Sequence, residues 1–187
     1  MSTPRQQITS VLADLQRPGI DDLIGYLTAS DFFTAPASTR FHGAFSGGLA
    51  AHSWNVYSIF REKVRTFSID LPDDSTALCG LLHDVCKIGV YTKGTRNVKE
   101  NGEWVSKEVW QFSDPFPYGH GEKSVYILQK FLTLTDTEAI TIRWHMGFSE
   151  PKELYHTLGD AAARYPSVTA LHTADLEAAQ FLEPRGD

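Results

Sequence analysis

Imidazole and carboxylate side chains recur along the sequence where helices are predicted, and they are the residues best suited to do chemistry. Imidazole and carboxylate ligands together suit the borderline divalent metals Mn, Fe, Co, Ni and Zn, whereas Mg²⁺ is a poorer fit to so many imidazoles. The pattern therefore predicts a site for a divalent transition metal. Its candidate ligands are His52, His83, Asp84, His120, His145 and Asp175.

The stretch 81–87, Leu-Leu-His-Asp-Val-Cys-Lys, is the part of the chain around which the others are organised. On a helix over residues 77–87 its leucines and Val85 form an apolar stripe, and His83, Asp84 and Lys87 fall on the opposite side. Gly80 lies among them, and a residue without a side chain lets another group approach the helix backbone closely. The polar side is either an ordinary exposed face or a reactive one, and the other histidines favour the second interpretation.

Two more candidates are predicted on the apolar sides of helices. His52 lies on that side of a helix predicted from about residue 48 to 67, where a core histidine bonded to a carbonyl is the alternative. Asp175 lies inside the apolar stripe of the last helix, which starts at Pro166. Because a buried ionised carboxylate is costly unless a cation or donors meet it, Asp175 indicates either a structural salt bridge or a metal ion. Residues 183–187 are expected to fray.

The remaining two histidines lie between the central stretch and the last helix. His120 stands between two glycines, which leave the backbone free to place its imidazole at the start of a helix that continues to about residue 132. His145 lies near the end of a helix whose start at Thr135 has capping-box spacing. Glu122 and Arg143 are candidate substrate-contacting or supporting groups beside them.

The segment from about residue 90 to 112 breaks the helical pattern and is predicted as a β-hairpin with Asn101-Gly102 as its turn. It is either a solvated hairpin or a flap whose cations contact an anionic substrate, with Lys93 and Arg96 as the candidates. The cations that give it a basic character are Lys93, Arg96, Lys99 and Lys107.

The other segments predict an all-α protein of about seven or eight helices. Thr3-Pro4 starts one helix, residues 21–29 form another, and a further helix runs from Pro151 to about residue 165. At 187 residues with a hydrophobic share of 42%, the chain is expected to form a single domain over residues 1–187 that begins with N-terminal helices at 1–40.

Composition limits the classes of function. The formal charge of −6 argues against a large nucleic-acid surface, although a local basic patch is compatible with it. Cys79 and Cys86 would be separated by a rise of about 10.5 Å on a helix, beyond the roughly 7 Å limit for a disulfide. We therefore expect reduced thiols and a cytoplasmic protein. No signal peptide or membrane helix is predicted.

The ordered set of residues resembles the HD-domain superfamily of metal-dependent phosphohydrolases, over about residues 41–179. The family's helical core carries a first His, an adjacent His-Asp pair and a distant Asp. His52, His83-Asp84 and Asp175 match these in order. Lys87 matches the lysine often found three positions after the Asp of the pair. The resemblance implies an HD-domain helical bundle with a β-hairpin insertion at about residues 90–112.

Members of the family that bind two metals carry two more histidines between the pair and the last Asp, and His120 and His145 stand in that place. The stretches 118–124 and 142–147 look like a subgroup of small bacterial and prophage HD proteins, which also carries a hairpin insert. The resemblance therefore implies a first metal held by His52, His83, Asp84 and Asp175. It also implies that Asp84 bridges to a second metal.

The activity implied by the resemblance is hydrolysis of a nucleotide or another small phosphoester by attack of metal-activated water. Asp84 and Lys87 are the expected catalytic residues, because Lys87 can reach a nonbridging oxygen or orient the water. Lys93, Arg96, Glu122 and Arg143 are the expected substrate-binding residues.

Three alternatives stay open. The Gly-Gly-Leu-x-x-His segment at 47–52 also looks like the catalytic domain of HD-type 3′–5′ exoribonucleases, so the chain could be a phosphodiesterase on single-stranded nucleic acid. It could be a non-catalytic metal-binding regulatory module. It could also be an oxygenase that uses a mixed-valent di-iron pair, since the superfamily contains such enzymes. No nucleotide-specificity motif selects the substrate.

Overall fold

The computed structural model describes residues 2–100 and 102–183. This part of the chain is mostly helical, with eight α-helices and one two-stranded antiparallel sheet. The prediction of a helical protein with one β-hairpin is therefore confirmed. The elements are α1 (Pro4–Ala13), α2 (Ile20–Ala29), α3 (Gly48–Thr66), α4 (Asp73–Leu82), β1 (Tyr91–Glu100), β2 (Glu103–Phe112), α5 (His120–Leu128), α6 (Asp136–Arg143), α7 (Tyr155–Arg164) and α8 (Pro166–Glu177).

One apolar core joins the helices around α3. Leucine, isoleucine and phenylalanine side chains from α1 to α6 and from α8 fill it, and the N-terminal helices α1 and α2 pack onto it. A smaller apolar cluster lies under α7. The core residues without exposed surface include Ile8, Leu23, Phe60, Leu78, Leu128, Ile142 and Leu171. No helix among residues 2–100 and 102–183 is both long and apolar enough to cross a lipid bilayer.

The backbones of α4 and α3 come close together at Gly80. A Cβ atom added at Gly80 would lie 2.8 Å from Tyr57 Cα, a distance that real Cβ atoms do not show. The predicted close approach at Gly80 is confirmed, and the approaching group is the backbone of α3. This contact fixes the end of α4, and the residues that follow it, beside α3.

The central helix is shorter than predicted. Helix α4 ends at Leu82, and a separate 3₁₀ turn covers Val85–Lys87. The predicted helix over 77–87 is therefore wrong after residue 82. The His83 imidazole bonds to the Gly80 carbonyl at 3.0 Å, which is the carbonyl that the Asp84 amide would use in a continuing helix. The predicted apolar stripe is nevertheless buried, and so are His83 and Asp84.

Other helix ends also differ from the prediction. Helix α5 ends at Leu128 rather than near 132, and the segment after Pro151 starts as a 3₁₀ turn before α7 begins at Tyr155. After α8 the chain widens into a π-helix at Ala178–Leu182. A π-helical turn holds an additional residue, so it changes the direction in which the following side chain points.

Two predicted helix caps are confirmed by their hydrogen bonds. The Thr3 side chain accepts from the Gln6 amide at 3.3 Å, and Thr135 accepts from the Glu138 amide at 3.2 Å. Glu138 in turn accepts from the Thr135 amide at 2.8 Å, which completes the capping box at the start of α6.

The hairpin is the long two-stranded ribbon that was predicted. Its register runs from the pair Tyr91–Phe112 to the pair Glu100–Glu103. Gly102 has a positive φ of 92°, as a tight turn requires, while Asn101 lies outside the described residues. The base of the ribbon contacts the loop between α2 and α3, because the Tyr91 hydroxyl donates to the Ala37 carbonyl at 3.2 Å.

Candidate metal centre

Five separate segments bring the six candidate ligands together. His52 lies on α3, and His83 and Asp84 follow the end of α4. His120 is the first residue of α5, His145 follows the end of α6, and Asp175 lies on α8. Two trios of these side chains, His52–His83–Asp84 and His83–His145–Asp175, have ligand atoms within 4.8 Å of one another. The sequence prediction that these residues converge is therefore matched by their positions.

Asp84 lies at the middle of the cluster, and each of its carboxylate oxygens faces a different pair of histidines. Oδ2 lies 3.6 Å from His52 Nε2 and 3.5 Å from His83 Nε2. Oδ1 lies 2.8 Å from His120 Nε2 and 3.5 Å from His145 Nε2. This division gives Asp84 the geometry of a carboxylate that could serve two neighbouring positions.

Backbone carbonyls fix the orientation of two of the imidazoles. His83 Nδ1 donates to the Gly80 carbonyl at 3.0 Å, and His145 Nδ1 donates to the Ile142 carbonyl at 2.7 Å. A carbonyl only accepts, so the Nδ1 atom of each ring carries the proton and a neutral ring turns an Nε2 lone pair inward. Burial lowers the pKa of His83 to about 3, which keeps that ring neutral.

The inward lone pairs are the clearest sign of a cation site. The Nε2 atoms of His83 and His145 are buried and have no hydrogen-bond partner. Each lies 3.5 Å from an oxygen of Asp84, so an electron pair faces a carboxylate. Buried polar atoms are rarely left in this state, and a divalent cation between them would satisfy both. The donor set therefore fits a transition metal.

Charges around the cluster are strongly coupled. Burial raises the pKa of Asp84, but Lys87 and the hydrogen bond from His120 hold it well below its usual range. Lys87 Nζ lies 2.7 Å from Asp84 Oδ2. Burial likewise raises the pKa of Asp175, but His52, whose Nε2 lies 3.1 Å away, holds it below the usual range. Both carboxylates are therefore ionised at neutral pH.

The cluster opens into a cavity of about 330 Å³. Asp84, Lys87, His120 and Asp175 lie in its wall. A second cavity of about 390 Å³ adjoins it and shares Lys87, His120 and Tyr91 with it. A small molecule can therefore reach the centre from the side of the hairpin base.

The four predicted substrate-contacting residues are not in the wall of the 330 Å³ cavity. Glu122 pairs with Arg143, and Arg143 also bonds to Glu150 at 2.7 Å and stacks on the Trp144 ring. These contacts connect α5, α6 and the turn that follows α6. Their role in substrate binding stays a prediction.

Lys93 and Arg96 lie on β1, away from the cluster. Lys93 pairs across the ribbon with Glu108 and lies over the Trp110 ring, 5.3 Å from its centroid. Arg96 faces a cleft between the hairpin and the loop around Phe41. Contact between these cations and a substrate also stays a prediction.

Sequence reasoning missed several residues around the centre. Glu183, expected to fray, is 4% exposed and lies 2.9 Å from His52 Nδ1. That expectation is wrong for Glu183, and residues 184–187 lie outside the described residues. The His42 ring lies beside His52, tilted by 37° with ring centroids 5.1 Å apart, and His172 bonds to the His145 carbonyl at 2.9 Å. His42 and Glu183 lie in segments without helical periodicity, so no pattern identified them.

Cys86 is the other unexpected neighbour. Its thiol lies 3.6 Å from the ring nitrogens of His120. Burial raises the pKa of the Cys86 thiol to about 12, so it is protonated. Cys86 and Cys79 are both free thiols, as predicted.

Comparison with protein families gives one match. The family model of the HD domain matches residues 49–179, which is well over half of the chain. This span includes all six residues of the cluster and the hairpin. No curated protein and no solved structure matches the chain.

Proposed function

Since this chain belongs to the HD-domain superfamily, we propose that it is a metal-dependent phosphohydrolase that cleaves a nucleotide or another small phosphoester. The family in general consists of metal-dependent hydrolases of phosphoesters. The observation that carries the proposal is the pair of buried imidazole lone pairs that face Asp84.

Two sets of side chains would hold divalent cations. His52, His83, Asp84 and Asp175 form one set around Asp84 Oδ2. His120 and His145 form the other with Asp84 Oδ1. Imidazole and carboxylate donors in this mixture suit Mn, Fe, Co, Ni or Zn.

A divalent cation in this site would lower the pKa of a bound water and neutralise charge on the phosphoryl oxygens. Lys87 is the protein's own cation in the cavity wall, and its ammonium lies within reach of a phosphoryl oxygen that approaches Asp84. The ionised Asp84 holds Lys87 in place through the 2.7 Å ion pair. His83 and His145 donate from Nδ1 to backbone carbonyls, and this orientation points the Nε2 atom of each ring toward Asp84 as a possible ligand atom.

The direct test compares the wild-type protein with Asp84→Ala on a generic phosphodiester and a generic phosphomonoester, with Mn²⁺ added. We expect hydrolysis of one ester class in the wild type and none in the variant, with less bound metal in the variant. Asp160→Ala removes an exposed carboxylate on α7 and serves as the control, which should be fully active. A fully active and fully metallated Asp84→Ala protein would contradict the proposal.

A second function, cleavage of single-stranded nucleic acid, is favoured by the cleft beside the hairpin. This cleft has a volume of about 770 Å³, and Arg40, Arg96 and Lys99 lie in its wall together with the aromatic rings of Phe41 and Trp110. Cations interleaved with aromatic rings suit a strand whose phosphates and bases both need partners. Oligonucleotide binding that weakens steeply with salt, and that Arg96→Ala weakens further, would support this function.

A further inference from the structure

We propose that Glu183 is a positioning residue, whose charged carboxylate turns His52 toward the metal centre and strengthens it as a ligand. The proposal rests on the metal centre proposed above. It adds a residue that lies beyond the family match at 49–179, in a segment where no ligand or supporting role was expected.

The geometry of the pair is specific. Glu183 Oε1 lies 2.9 Å from His52 Nδ1, and both side chains are almost completely buried, at 4% and 0% exposed. Asn55, on the same side of α3, donates to the same oxygen at 3.3 Å and holds the carboxylate in place. Because an ionised carboxylate only accepts, Nδ1 must carry the proton, and Nε2 is left to face Asp175 at 3.1 Å and Asp84 at 3.6 Å.

The anchor on His52 differs from those on the other two buried imidazoles. His83 and His145 each donate from Nδ1 to a backbone carbonyl three residues earlier in the chain. His52 instead uses a charged side chain 131 residues away. A carboxylate behind a ligating imidazole fixes the tautomer, as a carbonyl does, and also raises the basicity of the ring. His52 would therefore be the most strongly supported of the three.

The fold provides this contact through the π-helix. The segment Ala178–Leu182 continues α8 as a π-helix, and Glu183 follows it with extended backbone at φ −114° and ψ 131°. The chain leaves the helix at the level of His52, and Glu183 turns inward there. The π-helix thus places Glu183 where Asp175, two turns earlier on α8, already faces the same imidazole.

A matched control lies on the same part of the chain. Glu177 Oε1 bonds to Lys63 Nζ at 2.7 Å, so this carboxylate also ties the end of α8 to α3, but away from the centre. Glu177→Ala removes a similar connection between the two helices without touching His52. A difference in zinc affinity between Glu177→Ala and Glu183→Ala therefore measures the effect on His52 rather than the loss of a contact between α3 and the end of α8.

The experiment titrates the metal-stripped full chain with Zn²⁺ by calorimetry, for the wild type, Glu183→Ala, Glu183→Gln and Glu177→Ala. We expect Glu183→Ala to weaken binding about 10- to 100-fold, with Glu177→Ala unchanged. Glu183→Gln keeps an acceptor but loses the charge, so its affinity should fall about several-fold, between the wild type and Glu183→Ala. This variant also decides the matter if Glu183→Ala does not fold.

A spectroscopic measurement separates positioning from general support. In the zinc-loaded wild type, the Nδ1 protons of the three buried histidines should give downfield NMR signals. The His52 signal alone should shift or disappear in Glu183→Ala, while those of His83 and His145 remain. A merely structural role would move all three or none.

Three results would overturn the proposal. Wild-type zinc affinity in both Glu183 variants would show that the carboxylate does not support His52. Loss of a whole equivalent of zinc, with wild-type affinity for the rest, would make Glu183 a ligand through Oε2, which is buried and has no hydrogen-bond partner. No zinc binding by the wild type would remove the metal centre itself, and the proposed function would fail with it.

Discussion

Two buried carboxylates, Glu138 and Asp84, differ in how the protein satisfies them. Their side chains are 0% and 2% exposed. Glu138 accepts from the Arg17 guanidinium at 2.7 Å, the Ser75 hydroxyl at 2.7 Å and the Thr135 amide at 2.8 Å. Each oxygen thus has a donor, and groups within the protein compensate the negative charge of Glu138.

Asp84 has a different environment. Lys87 and His120 lie at hydrogen-bonding distance, but His83 and His145 turn toward its oxygens Nε2 atoms that have no hydrogen-bond partner. Burial of a charged side chain therefore does not by itself identify a functional site. A functional site is identified here by buried nitrogen and oxygen atoms whose electron pairs face one another with no positive group between them.

The largest effect is expected for Asp84→Asn, which removes the negative charge that lies between the two pairs of histidines. We expect metal affinity to fall by more than the about 10- to 100-fold loss that is usual for a supporting residue, and hydrolysis to disappear. The measurement is metal content after dialysis together with turnover on the ester class that the wild type hydrolyses. Retained metal with retained turnover would remove Asp84 from the centre.

Lys87→Met removes the cation in the cavity wall and keeps the aliphatic stem. We expect kcat to fall about 100-fold, because a preorganised donor to a developing anion typically contributes 10²- to 10³-fold. Metal should stay bound, since Lys87 donates no ligand. The control is Lys93→Met on the hairpin, and equal kcat values for the two variants would contradict a catalytic role for Lys87.

Glu138→Gln tests the satisfied carboxylate. We expect the free energy of unfolding to fall by about 1–3 kcal/mol, because Arg17 loses a charged partner in a site with little solvent. Metal content and turnover per folded molecule should be unchanged. Urea denaturation of both proteins measures the first effect, and a loss of metal at full stability would mean that the two regions are not independent.

The same variant carries a pH signature. Burial alone would raise the pKa of Glu138, but the hydrogen bonds from Arg17, Thr135 and Ser75 hold it below its usual value. A depressed pKa stabilises the fold above the unfolded value of about 4.3, and this stability is lost as the pH falls through the folded pKa. Between neutral pH and about pH 3, the wild type should therefore lose more stability than Glu138→Gln.

The smallest effect is expected at the hairpin. Lys93→Ala and Arg96→Ala should each leave turnover of a small ester nearly unchanged, since neither side chain lies in the wall of the centre's cavity. The exposed Lys93–Glu108 pair that the first variant breaks contributes only about 0–1 kcal/mol of stability. Turnover at low and high salt is the measurement. A large loss on a small ester would return these cations to the substrate site.

Much of the centre was predictable from the sequence, because helical periodicity makes an unusual residue visible. His52 and Asp175 interrupt apolar stripes, and both face the cluster in the structure. Thr135 was predicted as a cap, although the same capping partner, Glu138, also accepts from Arg17 over a separation of 121 residues. Local patterns do not contain such long-range bonds.

The rest could not be predicted for physical reasons. The early end of α4 depends on the bond between the His83 ring and the Gly80 carbonyl, which competes with helix continuation. Glu183 reaches His52 from the end of a π-helix, and the change from α-helix to π-helix was not visible in the sequence. Arg143, whose contact with substrate stays a prediction, pairs with Glu122 and Glu150, and the sequence did not indicate these ion pairs.

The distribution of the cluster along the chain has a consequence for biosynthesis. Its residues lie between His52 and Asp175, so a chain growing from the ribosome has a partial set of ligands until α8 has emerged and packed. Such a centre forms by long-range contacts, which close late in folding. Metal would then bind only after the helices from α3 to α8 have folded together, and the ion would stabilise only fully folded molecules.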